Sequence, residues 1–131
     1  MKYMLLMQRP QSGYEEMRSM APDELRAHGE YMQALDDELR ESGEHVDGQG
    51  LTGPEQAFIV RAQHEGPPVV SDGPFPEAKE FLAGYWILDV ESRERAIEIA
   101  ARASAAPGRD GAPVNTPFEV RPVMSPPSEE K

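Results

Sequence analysis

Phe81-Leu82-Ala83-Gly84-Tyr85-Trp86-Ile87-Leu88-Asp89-Val90 is the longest apolar run of the chain, and a polar turn, Ser71-Asp72-Gly73-Pro74-Phe75-Pro76-Glu77-Ala78-Lys79-Glu80, leads into it. Asp-Gly-Pro cannot continue a strand: Gly73 relaxes the backbone, and Pro74 removes a donor and restricts the residue before it. The chain therefore turns here and enters its central strand. That strand alternates Ala83, Tyr85 and Ile87 with Trp86, Leu88 and Val90, so both faces of its sheet carry apolar side chains.

Upstream, residues 2–8 read as a first strand, with Tyr3, Leu5 and Met7 on one face and Met4, Leu6 and Gln8 on the other. After a connection over 11–21, a helix should start at Pro22, with Asp23 and Glu24 at its positive end, and stop at Gly43. Its apolar stripe is Leu25, His28, Met32, Leu35 and Leu39. A brief strand is expected at 46–51, a better one at 57–63, and a hairpin turn at Glu65-Gly66 into Pro68-Val69-Val70-Ser71. Beyond the central strand, residues 91–104 read as a second helix capped by Ser92, with Ala96, Ile97, Ala100 and Ala103 inward. Residues 118–124 form a last strand, which Pro122 places at an edge or beyond the ladder.

This order gives an α+β class, a ferredoxin-like sandwich in which one antiparallel sheet carries two helices on one face. Two helices hide one face only. The other needs a second cover, and another copy of the same sheet would supply it, so a homodimer through the sheet face is expected.

The chain has 131 residues, enough for one domain over 1–124, with 125–131 expected to be a disordered polar tail. Thirteen basic against 24 acidic residues leave a net charge of −11, which argues against a nucleic-acid partner. Cysteine is absent, so thiolate metal sites and cysteine nucleophiles are excluded. The first ten residues hold an apolar run too short for a signal or a membrane span, and a cytoplasmic location is expected, with no membrane partner. His28, His45 and His64 lack the spacing of a metal site, and no phosphate-cradling glycine loop precedes a helix, so neither metal nor cofactor is expected.

The block Val70-Ser71-Asp72-Gly73-Pro74-Phe75 with Glu77, Lys79 and Glu80, then Gly84-Tyr85-Trp86-Ile87-Leu88-Asp89-Val90 and Glu119-Val120-Arg121-Pro122-Val123, resembles the DGPF branch of the YCII-related proteins. Met4-Leu5-Leu6-Met7 and Gly50-Leu51 are similar to it as well. The resemblance implies a dimeric α/β barrel built from ferredoxin-like protomers. It also implies a bacterial stress or signalling setting, because many such proteins are encoded beside extracytoplasmic-function sigma factors. Related members look enzymatic, with a histidine and an aspartate in a cleft, and one branch removes halide from chlorinated hydroxyquinones without a cofactor.

Asp72, at the mouth of a turn between apolar strands, is the first catalytic candidate, as a partly desolvated general base, with capping of its own turn as the other reading. His28 is the second, on the apolar stripe of its helix, where it could also be a satisfied core residue. Lys79, between Glu77 and Glu80, could bind an anion or sit in an exposed ion-pair cluster. Arg9 could bind an acid group or pair with a surface carboxylate, and Tyr85 could line a cavity or the core. Two functions follow: a cofactor-independent small-molecule enzyme using acid–base chemistry in a dimer-associated cleft, or a non-catalytic module that binds a ligand or protein in a sigma-factor-linked setting.

Overall fold

Alternation of apolar residues along the first segment and along 80–89 makes these two stretches the paired centre of the sheet. In the computed structural model, which describes residues 1–10, 17–75 and 77–124, β1 (Lys2–Pro10) and β5 (Glu80–Asp89) run antiparallel, with Leu5 opposite Trp86 and Leu6 opposite Tyr85. β2 (His45–Gly50) pairs with the free side of β5, and β6 (Phe118–Pro122) with that of β1. The order β2-β5-β1-β6, all antiparallel, is ferredoxin-like. Pro122 lies on an edge strand, where its missing N–H costs no ladder bond.

Helix α1 (Pro22–Ser42) begins and ends where its residues dictate. Pro22 occupies the first turn, the Glu24 carboxylate accepts the Ala21 N–H at 2.9 Å, and Gly43 takes the left-handed cap at φ 83°. Helix α2 (Arg93–Ser104) starts on Ser92, whose Oγ accepts the Arg95 N–H at 3.1 Å. Both helices lie on one face. Leu35 and Leu39 of α1 and Ala96, Ile99, Ala100 and Ala103 of α2 join Tyr3, Leu5, Trp86 and Leu88 in a single core. Full burial of Leu5, Leu39, Leu88 or Ile99 contributes roughly 1.5–3 kcal/mol apiece.

Three expectations need correction. Ile97 points outward and is 44% exposed, while Ile99 is fully buried, because the inward stripe of α2 runs 96, 99, 100, 103 and Ile97 lies about 100° around the helix from Ala96. Leu25 is 43% exposed, since the buried residues of α1 are confined to its C-terminal half. The hairpin, β3 (Phe58–Arg61) and β4 (Val69–Asp72), forms a two-stranded sheet of its own, and every one of its residues is exposed. Gly66 lies in its connection at φ 87°. The expected tail at 125–131 and part of the 11–21 connection lie outside the described residues. Among the described residues no helix is long and apolar enough to cross a membrane.

One ion pair ties α2 to the start of β2. Arg95 donates to both carboxylate oxygens of Glu44, at 2.8 and 2.9 Å, with both side chains mostly buried. Arg95, helped by Ser42, holds the Glu44 carboxyl below the usual glutamate range against the opposing effect of burial. A carboxylate so depressed contributes stability above its unfolded-state pKa and loses it as pH falls through the folded-state value. Glu44→Gln should therefore cost about 1–2 kcal/mol at neutral pH. In chemical denaturation, the gap to the unaltered chain should close as pH drops below about 4.

Candidate functional site

Successive fourth residues of α1 lie on one face, and His28, Met32, Asp36 and Arg40 together roof a cleft against the sheet. Gly48, Gly50 and Gly84 contribute to its floor. The volume is about 440 Å³, within the range of small-molecule sites. Two of the floor glycines are required by close approach. A Cβ on Gly48 would stand 2.2 Å from Trp86 Cδ1, and one on Gly84 2.9 Å from the Gln49 carbonyl oxygen.

His28 is half-buried at one end of this cleft, its Nδ1 3.0 Å from the Pro107 carbonyl oxygen. A carbonyl only accepts, so Nδ1 carries the proton and the neutral ring presents Nε2 as an acceptor. Burial lowers the pKa of His28; the Pro107 bond opposes this, and the nearby positive charge of Arg9 adds to it. The 107–111 segment is held in place by Glu24, which accepts the Asp110 N–H at 2.7 Å.

At the other end, Asp36 accepts from Arg40 Nε at 2.7 Å and from Trp86 Nε1 at 2.9 Å. Burial works to raise the Asp36 pKa but is outweighed by these two donors, and the carboxyl sits below the usual range. His45 Nε2 is 3.3 Å from the same carboxylate, buried, and outside hydrogen-bond geometry. The i+4 spacing from His28 was the available signal for Asp36 and Arg40, both of which the sequence reasoning missed.

The structure separates the other candidates. Tyr85 borders the same cleft, yet strand alternation sends its phenol to the face opposite Trp86, where the hydroxyl donates to Asp47 at 3.0 Å. That bond, more than burial, raises the Tyr85 pKa. Arg9 is half-buried in a neighbouring cavity. Asp72 and Lys79 are exposed and line none of the cavities described. The expectation that Asp72 is partly desolvated between buried strands fails because β4 belongs to the outlying hairpin. Within one chain His28 bonds Pro107, and among the described residues no hydrogen bond or ion pair joins it to Asp72.

Residues 1–112 match the family described as the YCII-related domain. The chain is also similar to an uncharacterized protein of Rhizobium meliloti, with 34% identity over 70 residues that make up 53% of this chain. The match spans about half (52%) of that relative's length.

Proposed function

The chain belongs to the YCII-related family, and on that footing we propose that it is a small-molecule enzyme whose proton transfers run through His28 in the cleft under α1. The observation that carries this is the Nδ1–Pro107 bond of 3.0 Å, which sets the tautomer and frees Nε2. A lowered pKa keeps that nitrogen unprotonated at neutral pH. The decisive experiment screens a panel of small organic acids and phenols for protein-dependent turnover and repeats each hit with His28→Gln. Turnover that survives this change undamaged would remove His28 from the chemistry.

The proposal includes a homodimer closed over the outer face of the sheet. Met4, Leu6, Tyr85 and Ile87 share that face and are half-buried in a single chain. Among the described residues, both helices pack on the opposite face, with Leu5, Trp86 and Leu88. Sedimentation at micromolar concentration should give a mass near twice the 14.5 kDa of one chain. A folded monomer there would refute this part.

One feature favours the alternative of a binding module. The outlying hairpin exposes Phe58, Val60 and Val70 by 64%, 55% and 55%. A two-stranded sheet of this kind is marginally stable alone and suits a protein surface that covers it. Asp72, paired with Phe58 at the end of the hairpin, is an exposed charge beside that apolar patch, and Lys79 is exposed just before β5. If charge-reversal at Asp72 altered partner capture but not turnover, both roles would stand; if it altered turnover, Asp72 would return to the chemistry.

A further inference from the structure

We propose that the cavity beside Arg9 receives the carboxylate of an organic anion, which deepens the reading of the adjoining His28 cleft as a small-molecule site and rests on it. Arg9 stands at the end of β1 on the same face as Met7, and its Nη2 approaches Met7 Sδ at 3.5 Å. Thioether sulfur is a weak acceptor. Among the described residues no carboxylate meets this guanidinium.

The contrast within the molecule gives that absence weight. Arg40, Arg95 and Arg102 each contact an acidic side chain. The chain carries 24 acidic residues to 13 basic ones, so carboxylates are the abundant partner. A cation withdrawn from water without an acid is costly, and an arriving anion would relieve that cost. Burial alone already lowers the pKa of Arg9, although the group stays charged.

The surroundings define what kind of anion fits. The cavity holds about 240 Å³ and is lined by Arg9, Arg109 and the buried Thr116 together with Met17, Met20 and Pro117. Arg109 donates to Ser19 Oγ at 2.7 Å and lies in the field of Glu24, which leaves Arg9 as the principal cation. A guanidinium fork matches a carboxylate with two parallel bonds, and the apolar lining suits an organic body better than a hydrated inorganic ion. The cavity also adjoins the His28 cleft: Pro107, which holds His28, precedes Gly108 of the Arg9 cavity, and Met7 borders the cleft two residues before Arg9. A molecule anchored at Arg9 would thus extend toward Nε2.

Benzoate, its neutral isostere benzamide and inorganic phosphate test this by ligand-observed NMR on the full chain. Benzoate should bind about tenfold more tightly than benzamide, the scale of one charge-assisted contact. It should also bind more tightly than phosphate. In a chain of net charge −11, unspecific attraction would favour the neutral amide instead. Arg9→Gln should abolish the preference, and Arg9→Lys should keep part of it. Equal binding of benzoate and benzamide to the unaltered chain would overturn the proposal, as would phosphate binding as tightly as benzoate or a folded Arg9→Gln that kept the preference. The comparison of probes on the unaltered chain decides even if a variant fails to fold. His28→Gln should retain the preference for benzoate, so an anion site that persists beside unimpaired turnover would sink the catalytic role of His28 and leave Arg9 standing.

Discussion

Gly73→Ala is expected to destabilise the protein by about 3 kcal/mol, the upper part of the range for forcing atoms into a filled space. A Cβ at this position would lie 2.1 Å from the Pro54 carbonyl oxygen and 3.0 Å from that of Ala57. Both are backbone atoms and cannot rotate aside. The Gly73 N–H also donates to Ala57 O at 2.7 Å, so the glycine holds the end of β4 against the segment at 54–57. The glycine of the Asp-Gly-Pro-Phe block is thus explained by close approach of main chains, without any catalytic duty. Gly50→Ala is the control, because nothing lies within 4 Å of its added Cβ. It should change stability by no more than about 0.5 kcal/mol. Denaturant titration compares the two, and amide hydrogen exchange over β3 and β4 shows whether the hairpin opens locally first. Equal stability of the two variants would mean that the approach at Gly73 is not a constraint.

His28→Gln should lower turnover of any substrate found for the cleft by about 10²–10⁴-fold, the usual contribution of a positioned general base. In the unaltered protein the acidic limb of kcat/KM should fall below 6.5, the ordinary histidine value, because burial and then Arg9 disfavour the imidazolium. The sign for stability follows from the same shift. With a folded-state pKa under the unfolded one, the unfolded chain binds the proton first, so the contribution of His28 is complete above the unfolded value and declines as pH falls. A limb at or above 6.5 would show that burial does not control this group.

What could be read in the sequence was local. Pro22 and Gly43 bound α1, Ser92 starts α2, and the alternation in 81–90 marks the strand at the heart of the sheet, since each of these signals acts within a few residues. Where the outcome depended on distant partners, the signal was weaker. The apolar residues of 58–61 and 69–72 resemble a buried pair of strands, but their pairing with each other removes them from the main sheet, and Asp72 goes with them. Half of the cleft was legible: His28 follows from its place on the helical stripe. The acceptor that orients it is a main-chain oxygen 79 residues away, and no residue type announces that. Asp36 and Arg40 follow His28 at helical spacing, but a charged residue in a helix does not by itself mark the wall of a cleft.

The orientation of the His28 ring underlies the whole functional account, and a long-range nitrogen–proton NMR correlation of its imidazole, followed through a pH titration, tests it most directly. The predicted result is a ring protonated on Nδ1 that titrates below 6.5, in keeping with its bond to Pro107 and its burial. A ring protonated on Nε2, or one that titrates at or above that value, would contradict the account.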